Sequence, residues 1–252
     1  MASPDPLAAF RAQRLIAWLA AAMAMILPAS LLAGGRLSLG GLAISPRGLQ
    51  LHTLLLAGWL ALLMVRLWRA RPATSPSTAG YRGERSLPLA VLVGTLILLG
   101  AYNGTKALVL HTWPAAYSGV FFLALTGMTA LTAGILLTAG LLLRLAAPAQ
   151  DRLLAGGTAI LLQPQLADLL PMHALGGEAG QWLITALFLA GAAWIARRDR
   201  QAGAQHERTS RVVAVVMLGS ALLTSLLPHV WPFEVVANRL MAHQLPFTLP
   251  GR

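Results

Sequence analysis

The chain has 252 residues, of which 57% are hydrophobic and only 11% are charged. A soluble domain carries about 25% charged residues, and here the apolar residues form long blocks, so the composition predicts a polytopic membrane protein. The net charge of +11 does not indicate nucleic-acid binding, because the basic residues lie in short segments between the apolar blocks. The absence of cysteine excludes disulfides, thiolate metal sites and a cysteine nucleophile.

Seven apolar blocks predict an all-α membrane helix bundle that forms one domain over residues 1–252. Each block is about long enough to cross a bilayer as a helix. The predicted transmembrane helices are 15–33, 50–67, 87–110, 117–143, 153–172, 181–196 and 211–228.

The first block follows Arg11 and Arg14, a pattern that signal peptides and membrane anchors share. Its length of about 20 residues favours an uncleaved anchor, and cleavage is the alternative. In the next segment, 34–47, leucines alternate with polar residues before Gly40-Gly41. This alternation predicts a short β-hairpin, with an ordinary glycine-rich loop as the alternative.

The fourth block, 117–143, is rich in Gly, Ala and Thr. Small residues let helix backbones approach closely in lipid, where no hydrophobic force drives helices together. We therefore expect this block to be a central packing helix.

The fifth block, 153–172, is polar in its second half. Its first half, directly after Arg152, predicts an ordinary apolar segment that starts at the cytoplasmic side. Pro164 then removes one backbone hydrogen bond and can kink the helix. Gln165 and Asp168 are three residues apart and share a helix face. Polar and ionisable groups within a span are costly in lipid, so these two residues predict a ligand-binding site. The alternative is a helix end close to the lipid headgroups.

The distribution of basic residues predicts the orientation of the bundle. With the N-terminus in the cytoplasm and the C-terminus on the periplasmic or outer side, 14 of the 19 basic residues lie inside. The tail after residue 228 is mixed in character, and we expect it to lie along the membrane interface. The predicted location is a bacterial inner membrane. The five outer basic residues are Arg36, Arg47, Lys106, Arg239 and Arg252.

This orientation gathers polar residues on the outer side. Asn103 and Lys106, near the end of the third span, join Gln165 and Asp168 as predicted ligand-binding residues. Imidazole is a common ligand of zinc, copper and haem iron, so the outer histidines could form a metal or haem site. The alternative is that they are interfacial residues of no special role. The predicted metal ligands are His52, His111, His173 and His229.

Residues 117–143 resemble one helix of haem-copper oxidase subunit III. The matching features are Phe121-Phe122, Thr126-Gly127 and Gly134, whereas Thr129 and Thr132 stand where that family has histidines. The resemblance implies a non-catalytic, lipid-binding subunit beside a respiratory enzyme, without a redox centre of its own.

Three functional hypotheses follow, since soluble-enzyme motifs such as a Walker A loop or an H-E-x-x-H helix are absent from the sequence. The first is an accessory or assembly subunit that binds other membrane protein subunits within the lipid bilayer. The second is a transporter or handler of a small ligand, a metal or haem, which uses the interrupted fifth helix. The third is a membrane enzyme acting on a lipid-linked substrate at the outer face. Its base would be His111, His173 or His229, oriented by Asp168.

Overall fold

The computed structural model describes residues 14, 16–18, 20–25, 46–69, 87–143, 145–170, 175–201 and 207–242. These residues are about 91% helical and contain no strand, so the predicted all-α class is confirmed for them. Five of their helices are long and apolar enough to cross a membrane, which makes the chain a multi-pass membrane protein.

The helices follow the predicted blocks closely except at the fifth. A short 3₁₀ turn, Leu227–His229, joins the last two helices. In chain order the helices are α1 (Ile16–Met25), α2 (Pro46–Arg69), α3 (Leu87–Val109), α4 (Gly119–Leu142), α5 (Ala147–Leu161), α6 (Gln163–Leu169), α7 (Gly177–Gln201), α8 (Glu207–Leu226) and α9 (Trp231–Ala242).

Two sequence predictions fall mainly outside the described residues. The first predicted span, 15–33, is described only over the part that forms α1. The predicted β-hairpin, 34–47, lies outside the described residues except for Pro46 and Arg47, which already belong to α2.

Helix α4 is the centre of the bundle, as its small residues predict. It begins after Ser118, whose side chain accepts a hydrogen bond from the backbone N–H of Phe121, and thus caps the helix. It packs against α3, α5, α8 and α9. A buried hydrogen bond from the Thr132 hydroxyl to the Ser220 Oγ (2.8 Å) fixes it to α8.

The predicted fifth span is wrong in its boundaries, whereas its predicted interruption near Pro164 is present. Helix α5 begins at Ala147, before Arg152, and the helical segment breaks at Leu162. At 15 residues, α5 is roughly 22 Å long, which is shorter than a hydrocarbon core of about 30 Å. Every residue from Ala149 to Leu161 is buried, so α5 is an interior helix that other helices surround. Its Thr158 hydroxyl accepts a hydrogen bond from the Trp59 indole of α2 (2.9 Å).

Candidate functional site

The segment α5–α6 carries buried polar residues on both sides of its break. The break at Leu162 coincides with Pro164, which lacks a backbone N–H and stands in the first turn of α6. Chain direction places the start of α5 at the same end of the bundle as the ends of α2 and α7 and the start of α8. We call this the charged end, and the part of the bundle beyond Leu162 the opposite half.

At the charged end, a buried ion pair joins α5 to α7. The Arg152 guanidinium donates through Nε to Asp199 Oδ2 (2.7 Å) and through Nη2 to Asp199 Oδ1. Its Nη1 donates to the Pro148 carbonyl (2.6 Å), and the Ser210 hydroxyl of α8 donates to Asp199 Oδ2 (2.7 Å). Both charged side chains are buried, with exposures of 4% and 0%. The pair therefore has the bidentate geometry and the additional hydrogen bonds that a buried ion pair needs.

A second ion pair at this end joins α5 to α2. Arg66 donates through Nε to Asp151 Oδ1 (2.8 Å) and through Nη2 to Gln150 Oε1 (2.8 Å). The Gln150 amide in turn donates to the Leu143 carbonyl at the end of α4 (3.0 Å). Two arginines and two aspartates thus compensate each other, and these contacts connect five helices.

Sequence reasoning missed this network because its residues look like solvated loop charges. Arg152 directly precedes the predicted fifth span, and Asp199 stands within the basic run after the sixth. One signal was present: the adjacent Asp151 and Arg152 directly precede an apolar run of helical length. Opposite charges on neighbouring residues of a helix point in different directions, so they need two different partners.

In the opposite half, three predicted site residues each have one buried side-chain atom without a hydrogen-bond partner. The unpartnered atoms are His52 Nδ1, Asn103 Oδ1 and Gln165 Oε1, judged within the described part of the chain. The Nε2 of His52 lies 3.4 Å from the position that a Cβ on Gly100 would take, so the ring lies against α3 one turn before Asn103. Each such atom costs roughly 1–3 kcal/mol unless water or a ligand satisfies it. These residues are therefore the strongest candidates for ligand contact.

A small pocket lies beside the break, between α4, α6, α7 and α8. None of its ten lining residues is ionisable. Its interior has room for about one water molecule. The amides of Gln163 and Gln181, at 8% and 6% exposure, line the pocket together with four hydroxyl groups. The lining residues are Leu125, Gln163, Gln181, Trp182, Thr185, Met217, Ser220, Ala221, Thr224 and Ser225.

The other predicted ligand-binding residues lie at or near this half. Lys106 is half-buried in the last turn of α3. Asp168 belongs to α6, but its side chain lies outside the described residues. Their proposed role in ligand binding stays a prediction.

The predicted metal ligands are not brought together among the described residues, where no group of three or more His, Cys, Asp or Glu side chains could hold a metal ion. His52 is buried against α3, whereas His111 and His229 are exposed. The His111 Nε2 lies 3.0 Å from the Met241 carbonyl, which can only accept, so this ring ties the loop after α3 to α9. His173 lies outside the described residues.

Comparisons with protein-family models, curated proteins and solved structures found no match for this chain. The resemblance of residues 117–143 to haem-copper oxidase subunit III therefore stays a prediction. In the structure, Phe121 and Phe122 of this stretch are buried, and Thr126 packs against Gly104 of α3.

Proposed function

We propose that the chain is an accessory or assembly subunit of a larger membrane complex and has no redox chemistry of its own. The proposal includes the finer topology: seven spans in a bacterial inner membrane, with a cytoplasmic N-terminus and an outer C-terminus. Fusions of a periplasm-active and a cytoplasm-active reporter to the two ends test this topology. Activity of both ends on the same side would contradict it.

The observation that supports a subunit role is the division of the helix glycines into two groups. One group allows close packing inside the bundle: a Cβ on Gly156 would lie 2.5 Å from Val213 Cγ1, and a Cβ on Gly157 would lie 2.6 Å from Leu137 Cγ. The other group would meet nothing within 4 Å. Each of the five long helices carries one of these open glycines: Gly58, Gly94, Gly127, Gly191 and Gly219.

If a helix faced only lipid, an open glycine on it would bring no packing benefit. Glycine is less favourable than alanine in a helix interior by about 1 kcal/mol, and helix interfaces in membranes are enriched in small residues because backbones can approach there. Helices of partner subunits would use the open glycines of α2, α3, α4, α7 and α8 in the way that this chain uses Gly156 and Gly157 internally.

The test is purification from the native host at native expression. We expect partner proteins in fixed stoichiometry, and a loss of these partners in Gly58→Leu and Gly127→Leu with little change in the unfolding midpoint. Leu131→Ile, which keeps the side-chain volume on the same face of α4 as Gly127, is the matched control and should retain the partners. A monomer without partners would overturn the proposal.

A second candidate function is the handling of a small polar ligand in the opposite half. It is supported by the buried, unpartnered oxygens of Asn103 and Gln165. The amide-lined pocket beside the break has room for about one water molecule, so a larger ligand would have to widen it. Broken helices that lie inside a bundle form binding sites in many transporters, because polar groups there face protein instead of lipid.

Mass spectrometry and elemental analysis of the gently purified protein test this second function. We expect one small polar molecule or metal ion per chain, and its loss in Gln165→Ala and Gln163→Leu. Thr95→Ala is the control, since the Thr95 hydroxyl is exposed and bonds only to its own helix. Equal ligand content in all three variants would contradict the assignment.

A further inference from the structure

The arginines at the end of the α7–α8 pair form an exposed cationic surface that the buried ion pairs do not use. Helices α7 and α8 pack against each other along the bundle. The last turns of α7 and the first turns of α8 therefore meet at the charged end. The exposed arginines there are Arg197, Arg198, Arg200, Arg208 and Arg211, and we call this set the arginine surface.

Carboxylates compensate little of this charge. Within residues 197–201 and 207–211, Glu207 is the carboxylate that pairs with exposed arginines. Its Oε1 accepts a hydrogen bond from Arg211 Nη2 (2.6 Å) and lies 3.9 Å from Arg200 Nε. Asp199 is turned inward, where Arg152 and Ser210 occupy both of its oxygens. Five arginines against one glutamate leave a formal charge of +4 on the described part of this surface.

An exposed tryptophan shows where the surface lies relative to lipid. The guanidinium carbon of Arg198 lies 5.8 Å from the centroid of the Trp194 ring, one helical turn earlier, which is a cation–π contact. Trp194 is 42% exposed although it belongs to a span, and tryptophan is enriched where a membrane meets water. We therefore expect this guanidinium to lie at the depth of the lipid headgroups.

We propose that the arginine surface binds the phosphodiester of an anionic phospholipid. Guanidinium groups donate paired hydrogen bonds to phosphate oxygens, and basic surfaces between helices at the cytoplasmic side of membranes hold anionic headgroups. The acyl chains would lie along the exposed apolar face of the same helices, which includes Leu187 and Val215. This inference is independent of the subunit role and of the ligand in the opposite half.

The test measures lipid binding to the purified full chain by native mass spectrometry. The probes are phosphatidylglycerol, phosphatidylcholine and inorganic phosphate. We expect phosphatidylglycerol to bind most tightly and Arg198→Gln to weaken it about fivefold, because one basic residue near the surface contributes that much to anionic-lipid binding. Arg197→Gln/Arg198→Gln should weaken it by about 25-fold.

The control is Arg239→Gln, which removes one exposed arginine from α9, away from the charged end. Its affinity for phosphatidylglycerol should equal that of the unmodified chain. Equal losses in Arg198→Gln and Arg239→Gln would overturn the proposal, as would equal affinity for phosphatidylcholine. Displacement of the lipid by millimolar inorganic phosphate would show an anion site without lipid selectivity, and would also overturn it. Thermal unfolding midpoints establish that the variants are folded.

Discussion

The two ends of the α5–α6 segment accommodate buried polar groups in different ways. At the charged end, every charge of α5 has a partner of opposite sign on another helix, and Gln150 bonds on both sides. In the opposite half, none of the described buried side chains is an Asp, Glu, Lys or Arg. Buried atoms of Asn103 and Gln165 there have no partner among the described residues. The first arrangement holds helices together, and the second leaves hydrogen-bonding capacity for something outside this chain.

The difference has a physical basis in what each kind of group costs. A buried charge without a partner destabilises a protein strongly, so charges can be kept in the interior only when they are fully paired. A neutral amide without a partner costs much less, so a protein can retain one for a ligand or a water molecule. A ligand-binding site is therefore to be sought in the opposite half, and the interactions that stabilise the fold at the charged end.

The largest effect should come from breaking the Arg152–Asp199 pair. Asp199→Asn leaves the buried Arg152 guanidinium uncompensated, and we expect the free energy of unfolding in detergent to fall by about 3–5 kcal/mol. Denaturant titration of the purified protein measures it. Arg152→Met/Asp199→Leu removes both charges and should recover most of the loss.

The exposed pair between Glu207 and Arg211 supplies the matched control for that prediction. Arg211 is 62% exposed, so Glu207→Gln should change the stability by less than about 1 kcal/mol. Equal effects of Asp199→Asn and Glu207→Gln would show that burial does not set the strength of the inner pair.

A smaller effect is expected at the second pair, which water partly reaches. The Arg66 side chain is 26% exposed, whereas that of Asp151 is 3% exposed. Arg66→Met should lower the free energy of unfolding by about 1–3 kcal/mol, because water can enter where the partly exposed Arg66 is removed and can reach the Asp151 carboxylate. A loss as large as that of Asp199→Asn, in the same titration, would place this pair in a fully dry environment.

The smallest effect, and one of opposite sign, distinguishes the two ends directly. Gln150→Leu removes a doubly bonded amide at the charged end, and it should destabilise the protein by about 1–3 kcal/mol. Gln165→Leu removes an amide oxygen that has no partner, and it should leave the stability unchanged or raise it by up to about 1 kcal/mol. The same denaturant titration compares them. Destabilisation by Gln165→Leu as large as that by Gln150→Leu would show that Gln165 is already bonded in the purified protein.

Much of the architecture could be predicted because it depends on local pattern. Apolar length fixes where α2, α3, α4, α7 and α8 lie, and their observed bounds differ from the predicted ones by only a few residues. The central place of α4 followed from its small residues. Three of the four predicted ligand-binding residues, Asn103, Lys106 and Gln165, are buried or half-buried in the described structure. That result agrees with the argument that polar residues within spans avoid lipid.

The sequence by itself determined the membrane class, the positions of the long helices and the interruption near Pro164, because each depends on composition over one short stretch. Only the tertiary structure decided that α5 begins at Ala147 and is buried from Ala149 onward. That outcome depends on Asp151 meeting Arg66 across 85 residues and on Arg152 meeting Asp199 across 47. From the sequence alone, a charged residue is expected to be exposed unless its partner is known. Partners this distant in the chain are found only when the helices are packed together.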